Sequence, residues 1–205
     1  HKRALCDEDM KKVFTRLPSS SAIPLAVRRA QDMFVLMFLL RGLPFVDLAY
    51  LRKSDLRDNV ITYRRRKTGR PLSVTLTPEA LELLKKYMNR DSHSPYLFPL
   101  LKSGEGTKEA YREYQLALRS FNQQLTLLGK VLGLNDRLSS YTARHTWATT
   151  AYYCEIHPGI ISEAMGHSSI KVTETYLKPF RNKKIDEANN QIIDFVKHSI
   201  VETVA

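Results

Sequence analysis

Apolar residues recur with a helical period along most of this chain and with a strand period in one short stretch. Met10, Val13, Phe14 and Leu17 fall at i, i+3, i+4 and i+7, which is one face of a helix. The run Pro18-Ser19-Ser20-Ser21 ends it. Pro24 opens a second helix that turns wholly apolar toward Leu40, as expected of an element deep in a core. Gly42 suits the position just past that helix, which places Arg41 in its last turn. Pro44 then starts a short helix through Leu48.

From Arg52 the period changes. Val60-Ile61-Thr62-Tyr63 is rich in β-branched and aromatic residues, and Leu72, Val74 and Leu76 alternate with polar neighbours. Between them lies the turn Arg65-Arg66-Lys67-Thr68-Gly69-Arg70, so the pair predicts a small antiparallel sheet with a basic tip. Thr77-Pro78-Glu79 carries an N-cap, a first-turn proline and an acidic first turn, with Leu81, Leu84 and Tyr87 continuing the helix. Asn89 to Pro99 reads as a loop with an extended piece at Tyr96-Leu97-Phe98, and a second loop surrounds Gly104 and Gly106. Lys108 to Leu132 is mostly helix, with Leu118, Phe121, Leu125, Leu128 and Leu132 inward. Further helices run from Tyr141 through Tyr153 and from Pro158 to Met165, the second closed by Gly166. After Pro179 the chain becomes polar and charged, yet Ile185, Ala188, Ile192 and Val196 keep an apolar stripe on one last helix.

A length of 205 residues suits one domain, or one domain plus an appendage. Charge narrows the partners. Lys+Arg is 32 against 21 Asp+Glu, a formal net charge of +11 and a pI near 9.7, which points to a polyanion and first to nucleic acid. Cys6 and Cys154 are far apart and match no metal spacing, so a reducing compartment, the cytoplasm, is expected. The longest apolar run, Met33 to Leu40, is eight residues, too short to span a bilayer. No acidic or histidine cluster suggests a metal, and no phosphate-cradling glycine motif appears, so neither metal nor cofactor is expected.

The basic residues frame a candidate chemistry. Tyr176 stands nine positions after His167, and His145 lies 22 positions before His167. Tyr141, Arg144 and His145 share one side of a helix. Forming a tyrosine phenolate at pH 7 costs roughly 4 kcal/mol, and fixed positive charge lowers that cost while stabilising a pentacoordinate phosphate. On an unbroken helix, nine residues make about 2.5 turns and hold His167 and Tyr176 apart. They converge only if the helix ends first, and Thr173-Glu174-Thr175 is a suitable end. Ser168 or Ser169 would cap that helix and put His167 at its N-terminus, a natural anion site. Singly, each signal has a plainer reading. A lone Tyr usually packs, a terminal Arg usually meets carbonyls, and His145 usually bonds within the fold.

Jointly, the segments resemble the catalytic domain of tyrosine site-specific recombinases, the phage-integrase family. The resemblance runs from about Leu5 to Phe180. It is carried by Leu39-Leu40-Arg41-Gly42-Leu43-Pro44-Phe45-Val46-Asp47-Leu48, by Arg66-Lys67-Thr68-Gly69, by Tyr141-Thr142-Ala143-Arg144-His145-Thr146-Trp147-Ala148-Thr149, and by Met165-Gly166-His167 through Tyr176. It implies an α+β, mainly α-helical fold with a small three-stranded antiparallel sheet, the DNA breaking-rejoining fold of that family. It implies that Tyr176 attacks the phosphate and holds a strand as a 3′-phosphotyrosine, and that Arg41 and Arg144 clamp the non-bridging oxygens. Lys67 would be the general acid for the 5′-hydroxyl, and His167 would bond the phosphate or the nucleophile. Arg65, Arg66 and Arg70 would contact DNA from the hairpin tip.

One position departs. The family usually has His three residues before its second arginine, and Tyr141 stands there. A phenol donates a hydrogen bond to phosphate but is a poor base near neutral pH, which leaves His145 as an accessory candidate. The resemblance further implies residues 1–180 as the catalytic domain and 181–205 as a linker and helix docking on a neighbour. It implies a homotetramer on double-stranded DNA, a bacterial mobile element as the setting, and the lack of the family's N-terminal core-binding domain in this chain. The alternatives are a strand-swivelling topoisomerase of type IB and a module that binds DNA without cutting it.

Overall fold

The computed structural model describes residues 4–18, 22–176 and 182–204. The serine run expected to end the first helix, and the linker at Pro179 and Phe180, lie largely or wholly outside the described residues.

Helix α1 (Asp7–Phe14) lies against α2 (Leu25–Leu39), the buried helix that the apolar run predicted. Val27, Phe34, Leu36 and Met37 on α2 are essentially sealed from water. A 15-residue helix with apolar groups on all sides can only be central, and α2 packs on α4 (Pro78–Tyr87), α5 (Lys108–Leu132) and α6 (Thr142–Tyr153). Helix α3 (Phe45–Tyr50) joins the same core, with Phe45 stacked on Phe121 at 4.8 Å between ring centres. The Thr77 cap is present, its hydroxyl accepting from Ala80 N at 3.2 Å.

The sheet is three-stranded and antiparallel in the order β1 (Leu56–Arg57), β2 (Val60–Arg64), β3 (Pro71–Thr75). Ile61 opposes Val74, both buried, and Thr62 opposes Ser73 on the wet face. Period-two burial therefore sets the register and leaves the 65–70 turn projecting from one end. Helices α7 (Pro158–Met165) and α8 (Ile170–Glu174) follow α6, and α9 (Asn182–Val204) ends the described chain. Among the described residues no helix is long and apolar enough to cross a membrane.

Two local expectations need correction. The second helix stops at Leu39 with Leu40 as its cap, so Arg41 lies beyond its last turn. Arg41 itself takes a left-handed φ of 60°, followed by Gly42 at 68°. Ser169 sits at the N-cap of α8, but its side chain makes no capping bond.

Candidate active site

Tyr176 and His167 meet because α8 is short. The helix ends at Glu174, and Tyr176 N donates to Thr173 O at 2.9 Å, folding the chain back. Gly166, at φ 62°, turns the chain between α7 and α8, and a Cβ there would strike Arg65 Cγ and Leu72 Cδ1 at 2.9 Å. The outcome is a face-to-face pair, with the His167 and Tyr176 rings 5.6 Å apart and 5° from parallel. The His145 ring also lies against Tyr176, at 4.8 Å, and Tyr141 stands 5.9 Å from His145. Tyr141 is exposed, whereas Tyr176 is half-buried against Trp147 and the Ala148–Met165 cluster.

Arg144 is buried, with 5% of its surface exposed. Its Nη1 donates to Gly42 O at 3.0 Å and its Nη2 to Met165 O at 2.8 Å. The Tyr176 phenol lies close enough to act on its guanidinium electrostatically. Burial and the nearby charge of Arg65 pull its pKa below the usual guanidinium range, and Tyr176 opposes that pull. A guanidinium has five N–H donors, so the two carbonyls still leave donors for a phosphate.

His167 is 3% exposed. Its Nδ1 lies 2.7 Å from Thr173 Oγ1, and its Nε2 is buried without a hydrogen-bond partner. Its pKa is pushed down to about 4, first by burial and then by the charges of Arg144, Arg65 and Lys67. The ring is therefore neutral at physiological pH, and its orphaned nitrogen is a polar group still lacking a ligand.

The β2–β3 turn docks on the same corner. Arg65 Nη1 donates to Met165 O at 2.8 Å, the carbonyl that Arg144 also uses. Thr68 donates to Gly166 O at 3.1 Å, and Arg70 Nη2 reaches Ser168 O at 3.5 Å. Lys67 is exposed at the tip, close enough to depress His167 electrostatically. Arg41 is half-buried. Tyr63, whose pKa burial and then Asp47 raise, feels the opposing charges of Arg65, Arg144 and Arg41, so the three guanidinium groups share one neighbourhood.

The three tip arginines are not alike. Arg65 is 5% exposed, with Nε 3.0 Å from Asp47 Oδ2, so it is an internal strut with no free face for DNA. Arg66 is on the surface but paired with Glu105, and Arg70 is exposed. Sequence reading missed Asp47, which also accepts from Arg66 N at 2.9 Å. Burial pushes its carboxyl up, against the Arg66 N–H and the charges of Arg65 and Arg144. An acid standing alone in the apolar run Leu43–Leu51 was the available signal. Among the described residues, Cys6, Asp9 and Asp136 also bring ligand atoms within 4.8 Å of one another, a juxtaposition that spacing did not suggest. The Asp9 carboxylate already accepts from Asn135 N and Asp136 N and lies 3.7 Å from Lys12 Nζ.

The structure thus sets two imidazole rings against Tyr176, with the Arg144 guanidinium beside it and Lys67 acting on His167, on a helical scaffold with a three-stranded sheet. The phage integrase family model matches residues 9–183, and the chain belongs to that family. Tyrosine recombinase XerA of Pyrococcus furiosus is 25% identical over 180 residues, covering 86% of this chain and 57% of that protein. Tyrosine recombinase XerC of Haemophilus ducreyi is 28% identical over 134 residues, covering 63% of this chain and 42% of its own length. The chain thus spans a little over half of the XerA relative. Among solved structures, the Tn1549 transposon integrase in complex with transposon right end DNA superposes with a TM-score of 0.67 at 14% identity, over 94% of this chain and 67% of that one. The mainly helical fold with its small antiparallel sheet is that of tyrosine recombinase catalytic domains.

Proposed function

We propose that this chain is the catalytic part of a site-specific DNA recombinase that cuts and rejoins strands through a 3′-phosphotyrosine link. The observation that carries this is the packing of His167 and His145 on the Tyr176 ring, beside the buried guanidinium of Arg144 whose charge the Tyr176 phenol favours. The Tyr176 oxygen attacks phosphorus, the bond to the 5′-oxygen breaks, and Lys67 gives that oxygen its proton. Arg41 and Arg144 hold the non-bridging oxygens. With Thr173 donating to Nδ1, the His167 ring carries its proton on Nε2 and donates to the phosphate. His145, at 4.8 Å ring to ring, receives the phenol proton, and exposed Tyr141 supplies one more donor. The exchanged ester keeps the energy of the broken bond, so no external energy source is needed.

Residues up to 180 form the catalytic unit in this proposal, and it acts in the cytoplasm on double-stranded DNA of a mobile element, in bacteria. Helix α9 supports multimer formation, the proposed form being a tetramer. Lys184 pairs with Glu155, and the first turns of α9 line a cavity of about 470 Å³ with Tyr152, Ile156 and Pro158. Further along, Ile192, Phe195 and Val196 stay exposed at 64%, 74% and 49%. Such a stripe suits exchange onto a neighbouring copy. Strand swivelling by a topoisomerase and DNA binding without cleavage have less support, because the named relatives are recombinases.

Duplex DNA carrying a suicide nick tests the proposal. The protein should form an adduct that survives denaturing electrophoresis, and Tyr176→Phe should bind the DNA equally well without forming it. Equal trapping by both proteins overturns the assignment of the nucleophile.

A further inference from the structure

We propose that Glu105 stands in for a DNA phosphate: it holds Arg52 and Arg66 in the free protein and releases both to the backbone of a bound duplex. The inference rests on the DNA strand exchange proposed above and adds a docking surface to it.

The geometry is that of a bracketed anion. Arg52 Nη2 and Nε donate to Glu105 Oε2 at 2.7 and 3.2 Å. Arg66 Nη1 donates to Glu105 Oε1 at 2.6 Å. Each carboxylate oxygen thus serves one guanidinium, as the two non-bridging oxygens of a phosphodiester would. The Arg66 guanidinium also lies 3.7 Å over the Tyr50 ring, which fixes its plane. These groups, with Tyr63 and Arg64, line an open cleft of about 170 Å³. Arg66 directly precedes Lys67, so a duplex whose scissile phosphate reaches Lys67 brings adjacent phosphates toward the cleft.

Both sides of the contact are held in place. Arg66 N is tied to Asp47, and Arg52 pairs across a backbone bridge with Tyr96. The Glu105 loop is fastened by Tyr96, which donates to Ser103 O at 2.7 Å, and by Glu113, which accepts from Lys102 N, Ser103 N and Ser103 Oγ. Thr107 donates to Gly104 O at 2.7 Å. The carboxylate is therefore presented to the two arginines by a built loop. The contact is nonetheless exchangeable. Arg52 and Glu105 are 43% and 34% exposed, and half-open pairs in water hold weakly. Hydrogen bonds from Arg52 and then Arg66 lower the pKa of Glu105, so the carboxylate is charged whenever DNA is absent. Two arginines and one glutamate sum to +1, and removing the carboxylate charge makes this trio +2.

Fluorescence anisotropy with a labelled duplex of about 30 base pairs, titrated with the whole chain, tests this. Glu105→Gln should bind about 5-fold tighter at 50 mM salt. One further phosphate contact steepens the salt slope by about 0.9, so the advantage should shrink to about 1.5-fold at 200 mM. Glu105→Asp keeps the charge but not the reach to both arginines, and should give part of the same gain, whereas a mere effect of charge gives none. With Arg52 and Arg66 both changed to Ala, Glu105→Gln should gain nothing. An unchanged affinity of Glu105→Gln, or an equal gain without the arginines, overturns the latch while leaving strand exchange standing if the wild type still traps nicked DNA. A wild type that neither binds nor traps duplex overturns both.

Discussion

Gly42→Ala would show how far the backbone itself assembles this site. Gly42 has a φ of 68°, where an L side chain is strained by about 1–2 kcal/mol. Its added Cβ would lie 2.8 Å from Arg144 Cα and 3.3 Å from Trp147 Cβ. Neither atom is the free end of a flexible side chain, so α6 would have to withdraw, and overpacking of this kind costs about 1–3 kcal/mol. Arg41 beside it is already left-handed, which leaves the loop little room to relax. The sum of about 2–5 kcal/mol is a large share of an ordinary domain's stability. Withdrawal of α6 also lengthens the 3.0 Å bond from Arg144 to Gly42 O and turns the guanidinium. A displacement near 1 Å at a reacting centre slows catalysis about 10²-fold. Urea unfolding should therefore show the loss of stability, and trapping on nicked DNA at a temperature where the variant stays folded should show the slowing. A variant within about 0.5 kcal/mol of the parent that traps DNA at the parental rate would refute the argument.

The remaining predictions concern the acid, the buried imidazole and the last helix. Lys67→Ala should slow cleavage by about 10²–10⁴-fold, and a substrate with a better leaving group at the 5′ position should restore the rate; no rescue removes Lys67 as the acid. His167 has a pKa of about 4 in the folded chain against the ordinary 6.5, so the unfolded chain binds more protons between those values and stability falls as pH drops through that window. The loss between pH 7.5 and 4.5 should be roughly 2–3 kcal/mol, and His167→Gln should flatten the urea-derived profile by that amount, an unchanged profile counting against a buried neutral ring. Removing the residues after Phe180 should weaken assembly on DNA more than binding to a single site, as read by sedimentation. Complexes of unchanged size would argue against an exchanged helix.

Much of this architecture was legible because it is local. Thr77 capping α4, the alternation of Leu72 and Val74, and the glycine turn at 166 follow from short-range chemistry. The meeting of His167 and Tyr176 was legible too, since nine residues of helix cannot bring them together and a break can. What stayed hidden was long-range pairing. Arg65 sits in a run of three arginines that reads as a solvated tip, yet an acid 18 positions earlier turns it inward. The partnership of Glu105 with Arg52 and Arg66 spans 53 and 39 residues, beyond any periodicity. Arg41 fell one step outside its expected place because Leu40 ends the helix and two left-handed residues, in place of one glycine, make the turn.

The Met165 carbonyl, shared by Arg144 and Arg65, makes one peptide a junction between the proposed phosphate clamp and the strand hairpin that carries Lys67. A pull on the hairpin reaches Arg144 most directly through that shared oxygen. A neighbouring subunit or a bent duplex leaning on the loop would withdraw both halves of the machinery together, so the centre would tend to be wholly armed or wholly idle. In the proposed strand exchange, such coupling would be a safeguard against a break that is not resealed.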